Sequence, residues 1–285
     1  MGLFDRFRKP EPAARDERPS LIVALDAWTH DPRAAKQRLE PLTARKVAVD
    51  LEADDKVLSG HVTLGAHEVR MVGFDVPVPK PVMEKTVECS AWQGPPRERL
   101  LGHRAHLILF HESGGEDTAD RLTALYQIAG ALGGEHLAGA IHESAWTCAP
   151  AEVVRDFLDF DKARELREST PPILYFGVLP FTQGEAAWVA TRGCHLFGVP
   201  DLVIERGGNS NSELFRLLHN LFVYLSGGAK VAPGHTMQTD EKRFFRFREL
   251  PADHEHYEWL KGAGATLELV RIQPDEANPA HDHGR

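Results

Sequence analysis

One amphipathic helix constrains the fold of this chain more than any other segment. Ser210 and Glu213 have the spacing of a capping box, in which two side chains satisfy backbone N–H groups at the start of a helix. The apolar residues that follow recur at helical spacing and form one continuous face. They are Leu214, Leu217, Leu218, Leu221, Phe222 and Leu225. The pair Gly227-Gly228 ends the pattern, so the sequence predicts a helix that buries one face against another layer.

Apolar segments of strand length surround this helix and recur along the chain. They lie at 21–25, 46–51, 61–65, 68–74, 105–110, 138–142, 173–178, 186–190, 244–247 and 266–270. Helical patterns at 31–42, at 117–132 and from 150 onward alternate with them. We therefore predict an α+β fold of mixed β-sheet layers with helices packed mainly on one face. The strand–helix–strand pattern over 105–142 resembles a βαβ unit or its split form, and two ferredoxin-like halves fit this pattern.

Composition divides the chain into four predicted stretches. Residues 1–20 are rich in Pro, Ala and charge and are predicted to form a flexible leader, and residues 274–285 a disordered tail. Between them we predict an N-terminal α+β half at 21–95 and a C-terminal α+β half at 96–273. Leu3, Phe4 and Phe7 support one alternative for the leader, a short apolar turn that contacts a membrane surface or a partner.

Charge and hydropathy exclude several classes of protein. The chain has 33 Lys and Arg against 42 Asp and Glu, a formal net charge of −9, so its acidic surface disfavours nucleic-acid binding. No apolar run approaches the ~20 residues that a transmembrane helix needs. The N-terminus lacks the apolar core of a secretion signal. With 3 cysteines and no CxxC pair, a disulfide framework is not expected, and we predict a cytoplasmic protein.

The tripeptide His-Glu-Ser occurs twice, each time at the end of a predicted strand. His111-Glu112-Ser113 comes after Phe110, and His142-Glu143-Ser144 comes after Ile141, so that His142 is the last residue of the strand at 138–142. If the two strands are parallel neighbours, both tripeptides lie at the edge where open α/β sheets bind ligands. Two imidazoles and two carboxylates there suit a divalent metal or acid–base catalysis. Neighbouring residues of a strand face opposite ways, so the simpler interpretation is an ordinary polar strand end.

Further candidate residues are a cysteine and two histidines. Cys194 stands beside His195, which suggests a thiol nucleophile, although free cysteines are more often small buried apolar residues. His254 and His256 are two positions apart, so both reach one metal ion if that segment is extended. No cofactor is predicted, and a divalent metal is the alternative.

Several short motifs resemble a known family. They are Thr191-Arg192-Gly193, Phe197-Gly198, the strand through Ile204, the Leu-rich helix, Gly234-His235-Thr236, Pro77-Val78-Pro79 and the strand at 103–106. Together they are similar to a bacterial family whose C-terminal part is catalogued as domain of unknown function 4261. The resemblance implies a cytoplasmic bacterial α+β protein, and it implies no reaction.

Strong fold signals and the lack of a strong catalytic motif lead to the functional prediction. The sequence contains no Walker A loop, GxSxG elbow, HExxH helix or GxGxxG turn. We therefore predict a non-enzymatic binding or accessory protein that acts through an interface with a protein partner. The alternative is a hydrolase or metal-dependent enzyme that uses the two His-Glu-Ser strand ends.

Overall fold

The computed structural model describes residues 18–28, 30–54, 57–88, 90, 92–239, 243–254, 260–261 and 264–277. Helices and two largely antiparallel sheets make up this part of the chain, so the predicted α+β fold is confirmed. None of the described helices combines the length and the apolarity that a bilayer-spanning helix requires.

The first sheet is antiparallel throughout. Its strands are β1 (Ser20–Leu25), β2 (Val47–Ala53), β3 (Val57–Leu64), β4 (His67–Phe74), β5 (Ala105–Ser113), β6 (Leu137–His142) and β7 (Thr147–Pro150). They lie side by side in the order β2-β3-β4-β5-β1-β6-β7.

The second sheet is mixed. Its strands are β8 (Gly177–Gln183), β9 (Ala186–Arg192), β10 (Asp201–Glu205), β11 (Thr236–Gln238), β12 (Phe244–Glu249) and β13 (Thr266–Ile272). Their order is β11-β12-β13-β10-β9-β8, and β10 and β13 run parallel to each other.

The helices connect and cover these sheets. They are α1 (Pro32–Leu39), α2 (Lys80–Met83), α3 (Pro95–Leu101), α4 (Thr118–Gly133), α5 (Ala151–Asp156), α6 (Phe160–Ser169), α7 (Asn211–Ser226) and α8 (Pro274–Ala277). Helix α4 links β5 to β6, and β1 lies between these two strands and antiparallel to both. This is the split βαβ arrangement, and it makes β5 and β6 parallel.

The central strand β1 is buried on both faces. Leu21 and Val23 belong to the large apolar core, which also contains the buried side of α4. Ile22 and Ala24 point the other way and pack in a smaller cluster with Leu100 of α3. The first sheet is therefore covered on both sides, with α3 and the helical stretch after α2 on the second face.

Helix α7 joins the same core through aromatic side chains. The ring of Phe222 lies 4.2 Å from that of Phe176 and 4.9 Å from that of Phe197, measured between centroids. The capping box of Ser210 and Glu213 is present at the start of the helix. The predicted helix and its N-terminal cap are confirmed.

Some predicted boundaries differ from the observed elements. The strand expected from Ile173 begins only at Gly177, because Ile173 has φ +81° and its N–H closes a turn by donating to Phe176 O at 2.7 Å. The apolar run there reflects burial rather than strand pairing. The predicted division near residue 95 falls between β4 and β5, which are hydrogen-bonded neighbours in one sheet. The two sheets divide later in the chain, between 150 and 177.

The predicted terminal stretches lie mostly beyond the described residues. Leu3, Phe4 and Phe7 fall in the part of the leader that is not described, as do residues 278–285 of the tail. The described end of the leader contacts the folded body: Arg18 donates to Glu112, Pro19 accepts from the N–H of His111, and Ser20 already belongs to β1. In the predicted tail, Pro274–Ala277 is helical.

Candidate functional site

The two His-Glu-Ser tripeptides meet at one edge of the first sheet. Because β5 and β6 are parallel on either side of β1, their carboxyl ends point to the same edge. A cleft of about 600 Å³ opens there, between this edge and the end of β9 from the second sheet. It is lined by Arg18, Arg70, Phe110, His111, Glu112, Glu143, Ser144, Trp146, Arg192 and His195.

Within each tripeptide the histidine and the glutamate have different surroundings. Strand β5 extends to Ser113, so His111 and Glu112 lie inside the strand rather than after it, and they face opposite sides. The His111 side is buried, whereas Glu112 is partly exposed. His142 is fully buried at the end of β6, and Glu143 is exposed in the turn that follows. The two carboxylates therefore line the cleft, while His142 lies in the core.

His111 is the first member of a chain of titratable side chains. Its Nε2 atom lies 3.1 Å from Nδ1 of His67, and Nε2 of His67 lies 3.6 Å from a carboxylate oxygen of Asp120. Burial, followed by the nearby His67, lowers the pKa of His111 to about 4. Burial also lowers the pKa of His67, and Asp120 opposes that shift. Both rings are therefore neutral at physiological pH, and a proton on one ring nitrogen forms the hydrogen bond between them.

Two arginines converge on Glu112. The Nε atom of Arg70 donates to Oε1 of Glu112 at 3.0 Å, and Nη1 of Arg18 donates to the backbone oxygen of Glu112 at 2.7 Å. The Arg70 guanidinium also lies 4.4 Å from the centroid of the Phe110 ring. A cation over an aromatic face is attracted by the negative charge of that face. These contacts hold both guanidinium groups at one wall of the cleft.

The opposite wall is built around Trp146. This residue has φ +52°, a left-handed conformation that ends the short turn containing Glu143 and Ser144. Its ring is contacted by the guanidinium of Arg192, 4.4 Å from the centroid, and by the ammonium of Lys85, 5.2 Å away. The ring thus positions Arg192, at the end of β9, beside the turn that follows β6.

Behind this wall lies a buried carboxylate, Asp201. Its Oδ1 atom accepts hydrogen bonds from the backbone N–H of Cys194 at 3.0 Å and from the Thr191 hydroxyl at 3.2 Å. Its Oδ2 atom lies 3.6 Å from Nδ1 of His195. Asp201 is fully buried, and the two hydrogen bonds hold its carboxylate in place beside the His195 ring.

Two buried side chains near His195 stay uncharged, those of His142 and Cys194. Burial lowers the pKa of His142 to about 4, with His195 adding to the shift and the Leu174 backbone carbonyl opposing it. The Cys194 side chain has a pKa well above its ordinary value, first because of burial and second because of the Asp201 charge. A thiol with a raised pKa is protonated at neutral pH, so Cys194 lacks the activation that a nucleophile needs.

The predicted metal ligands do not converge in the described residues. Across those ranges, no three side chains of His, Cys, Asp or Glu are arranged to hold a metal ion. His254 lies against Trp188, with ring centroids 5.2 Å apart, and is absent from the lining of the cleft. His256 falls outside the residues that the structure describes.

The sequence alone did not indicate the cationic character of the cleft. No local sequence pattern marks Arg18 or Arg70, and Arg192 belongs only to the motif Thr191-Arg192-Gly193. These residues come from the segment just before β1, the middle of β4 and the end of β9. No local spacing connects them, so only strand pairing and the contact between the two sheets bring them together.

Comparisons with protein-family models, with curated proteins and with solved structures found no match to this chain. The functional assignment therefore depends on the geometry of the cleft. The resemblance to domain of unknown function 4261 stays a prediction.

Proposed function

We propose that this chain is a non-enzymatic binding protein of the bacterial cytoplasm, and that its cleft holds an anionic group carried by a protein partner. One observation supports the proposal above the others. Arg18, Arg70 and Arg192 line one cleft in a chain whose net charge is −9. A guanidinium group has a planar fork of donors that matches the oxygens of a carboxylate or a phosphate.

The anchoring of these arginines supports a binding role. Arg70 and Arg192 each lie over an aromatic ring, so part of their conformational freedom is already lost before a ligand binds. Preorganised side chains lose less entropy on binding. Glu112 and Glu143 also line the cleft and offset part of the charge of the three arginines. A bound anion must therefore share or displace the contact between Arg70 and Glu112.

Isothermal titration calorimetry with inorganic phosphate and with citrate tests this proposal. We expect saturable binding to the wild-type protein, weakened about tenfold or more in Arg70→Gln and in Arg192→Gln, since charge-assisted hydrogen bonds contribute about 1.5–3 kcal/mol. Arg104→Gln is the matched control, because Arg104 is an exposed arginine that does not line the cleft. Circular dichroism checks that each variant is folded. Equal binding by all four proteins, or no binding to the wild type, contradicts the proposal.

One observation favours the alternative of a hydrolase. Ser144 and His195 line the same cleft, and the buried Asp201 carboxylate lies behind Nδ1 of His195, the order of groups in a serine hydrolase. A fluorophosphonate probe tests it. Labelling of Ser144 in the wild type, lost in His195→Ala, supports a hydrolase, and an unlabelled protein argues against it.

A metal-dependent enzyme is tested separately. Calorimetric titration of metal-free protein with zinc and with manganese measures uptake directly. Binding that is lost in His111→Ala and His142→Ala supports this alternative. No uptake by the wild type removes it.

A further inference from the structure

Strand β2 has one open edge in the described part of the chain. It lies at the end of the first sheet and pairs there with β3 alone. The N–H of Gly65 donates to Lys46 O at 2.9 Å, and the N–H of Asp54 donates to Val57 O at 2.9 Å. In an antiparallel ladder every second residue bonds the same neighbour, so the even-numbered residues of β2 bond β3. The residues that direct N–H and C=O groups to the open side are Val47, Val49, Leu51 and Ala53.

The other sheet edges are shorter or better protected than this one. Strand β7 is buried along its whole length, β8 contains Pro180, and β11 has 3 residues. Strand β2 has 7 residues and no proline. A long unpaired edge of this kind is a template for another strand.

We propose that β2 pairs with β2 of a second copy of this chain, antiparallel about a two-fold axis at Val49. In this register Lys46 of one copy lies opposite Glu52 of the other, and Val47 lies opposite Leu51. The outward groups of residues 47, 49 and 51 then form about six backbone hydrogen bonds between the copies. The interface is the same patch on both subunits, so it closes as a dimer.

Opposite charges meet in this register. Lys46, the residue before β2, and Glu52 are both exposed and lie on the same face of the strand. They fall at positions without direct hydrogen bonding across the proposed pair, where opposing side chains lie closest. The two-fold axis produces this Lys–Glu pair twice.

The neighbouring registers fit less well. An axis at Asp50 places the two Asp50 carboxylates opposite each other, which is destabilising. An axis at Ala48 also pairs opposite charges, Lys46 with Asp50. It places Leu51 opposite Arg45, however, and the N–H of Arg45 already donates to the Thr43 hydroxyl at 3.1 Å, so backbone hydrogen bonds of that register are lost. With the axis at Val49, the apolar residues Val47 and Leu51 of the two copies also meet on the face that packs against the core.

Light scattering coupled to size-exclusion chromatography tests the dimer and its register. We expect the wild type at about 63 kDa, twice the 31.7 kDa of one chain. Lys46→Glu and Glu52→Lys each place like charges opposite one another at two sites. Each single variant is expected to raise the dimer Kd about tenfold or more. The double variant Lys46→Glu/Glu52→Lys restores opposite charges and is expected to restore the dimer.

Arg104→Glu, an exposed charge change away from β2, is the matched control and should remain a dimer. Circular dichroism verifies the fold of each variant. A monomeric wild type overturns the proposal, as does a dimer that both single variants leave intact. A folded double variant that stays monomeric overturns the proposed register.

Discussion

At the scale of single residues, burial decides the chemistry of Cys194. The residue is 2 % exposed, and burial together with the Asp201 charge holds the pKa of its thiol well above the ordinary value. Since the thiolate is the reactive form, we expect iodoacetamide at neutral pH to leave Cys194 unmodified in the native protein. The same reagent should modify it in guanidinium chloride. Peptide mass spectrometry measures both, and stoichiometric labelling of native Cys194 contradicts this expectation.

His142 makes stability depend on pH. Its folded pKa is about 4 against an ordinary value of 6.5, so between these values the unfolded chain binds more protons than the folded chain. The stability from the neutral ring is present above about pH 6.5 and is lost as pH falls through about 4, a change on the order of 3 kcal/mol. We expect His142→Leu to flatten the pH dependence of the unfolding free energy by about this amount. The lowered pKa values of His67 and His111 act in the same direction and remain in the variant.

Denaturant unfolding at a series of pH values measures this change. The comparison uses only the slope of the unfolding free energy against pH. The substitution also changes packing, and that shifts the free energy at every pH. Parallel curves for the two proteins contradict the account of His142.

At the scale of elements, the capping box of α7 contributes measurable stability. The Ser210 hydroxyl accepts from the N–H of Glu213 at 3.3 Å, and the Glu213 carboxylate accepts from the N–H of Ser210 at 2.7 Å. We expect Ser210→Ala to lower the free energy of unfolding by about 1 kcal/mol. Asn211→Ala, at the next exposed position, is the control and should change it by less than about 0.5 kcal/mol. If chemical denaturation gives the same loss of unfolding free energy for Ser210→Ala and Asn211→Ala, the cap has no specific stabilising role.

Elements with local signals were predictable from the sequence. Helices α4 and α7 carry their caps and apolar periods within the segment itself, as Asp117 and Ser210 illustrate. The common edge of the two His-Glu-Ser tripeptides was expected only for parallel neighbouring strands; β5 and β6 are parallel, but β1 lies between them. The turn at 173–176 was not predictable from the sequence. Its apolar residues are buried against α4 and α7, and a short apolar run of this kind resembles a buried strand. Arg18 and Arg70 meet only through strand pairing, which no local pattern encodes.

At the scale of the whole molecule, two glycines allow the sheets to meet beside the cleft. A Cβ atom on Gly177 would lie 2.1 Å from the backbone oxygen of Ala145. Gly193 has φ +93°, and its Cβ would lie 3.0 Å from that of Ala145. Ala145 belongs to the same turn as Glu143 and Ser144, and Gly193 follows Arg192. The close approach therefore sets the separation of the two walls.

Gly177→Ala tests this junction. The added methyl group must displace the backbone, so we expect a loss of about 1–3 kcal/mol in stability, together with weaker phosphate binding. Gly208→Ala is the control, because nothing lies within 4 Å of its added Cβ. Thermal unfolding and calorimetry measure the two effects. If Gly177→Ala has the stability and the phosphate affinity of the wild type, the contact between Gly177 and Ala145 does not position the cleft.

The central claim is that the cleft binds an anion, and a crystal soaked in tungstate tests it most directly. Tungstate is a tetrahedral dianion like hydrogen phosphate, and its anomalous scattering locates it without prior phase bias. We expect the strongest anomalous peak inside the cleft, within hydrogen-bonding distance of Arg70 or Arg192. A cleft without a peak at a saturating concentration, with tungstate bound elsewhere or not at all, contradicts the claim.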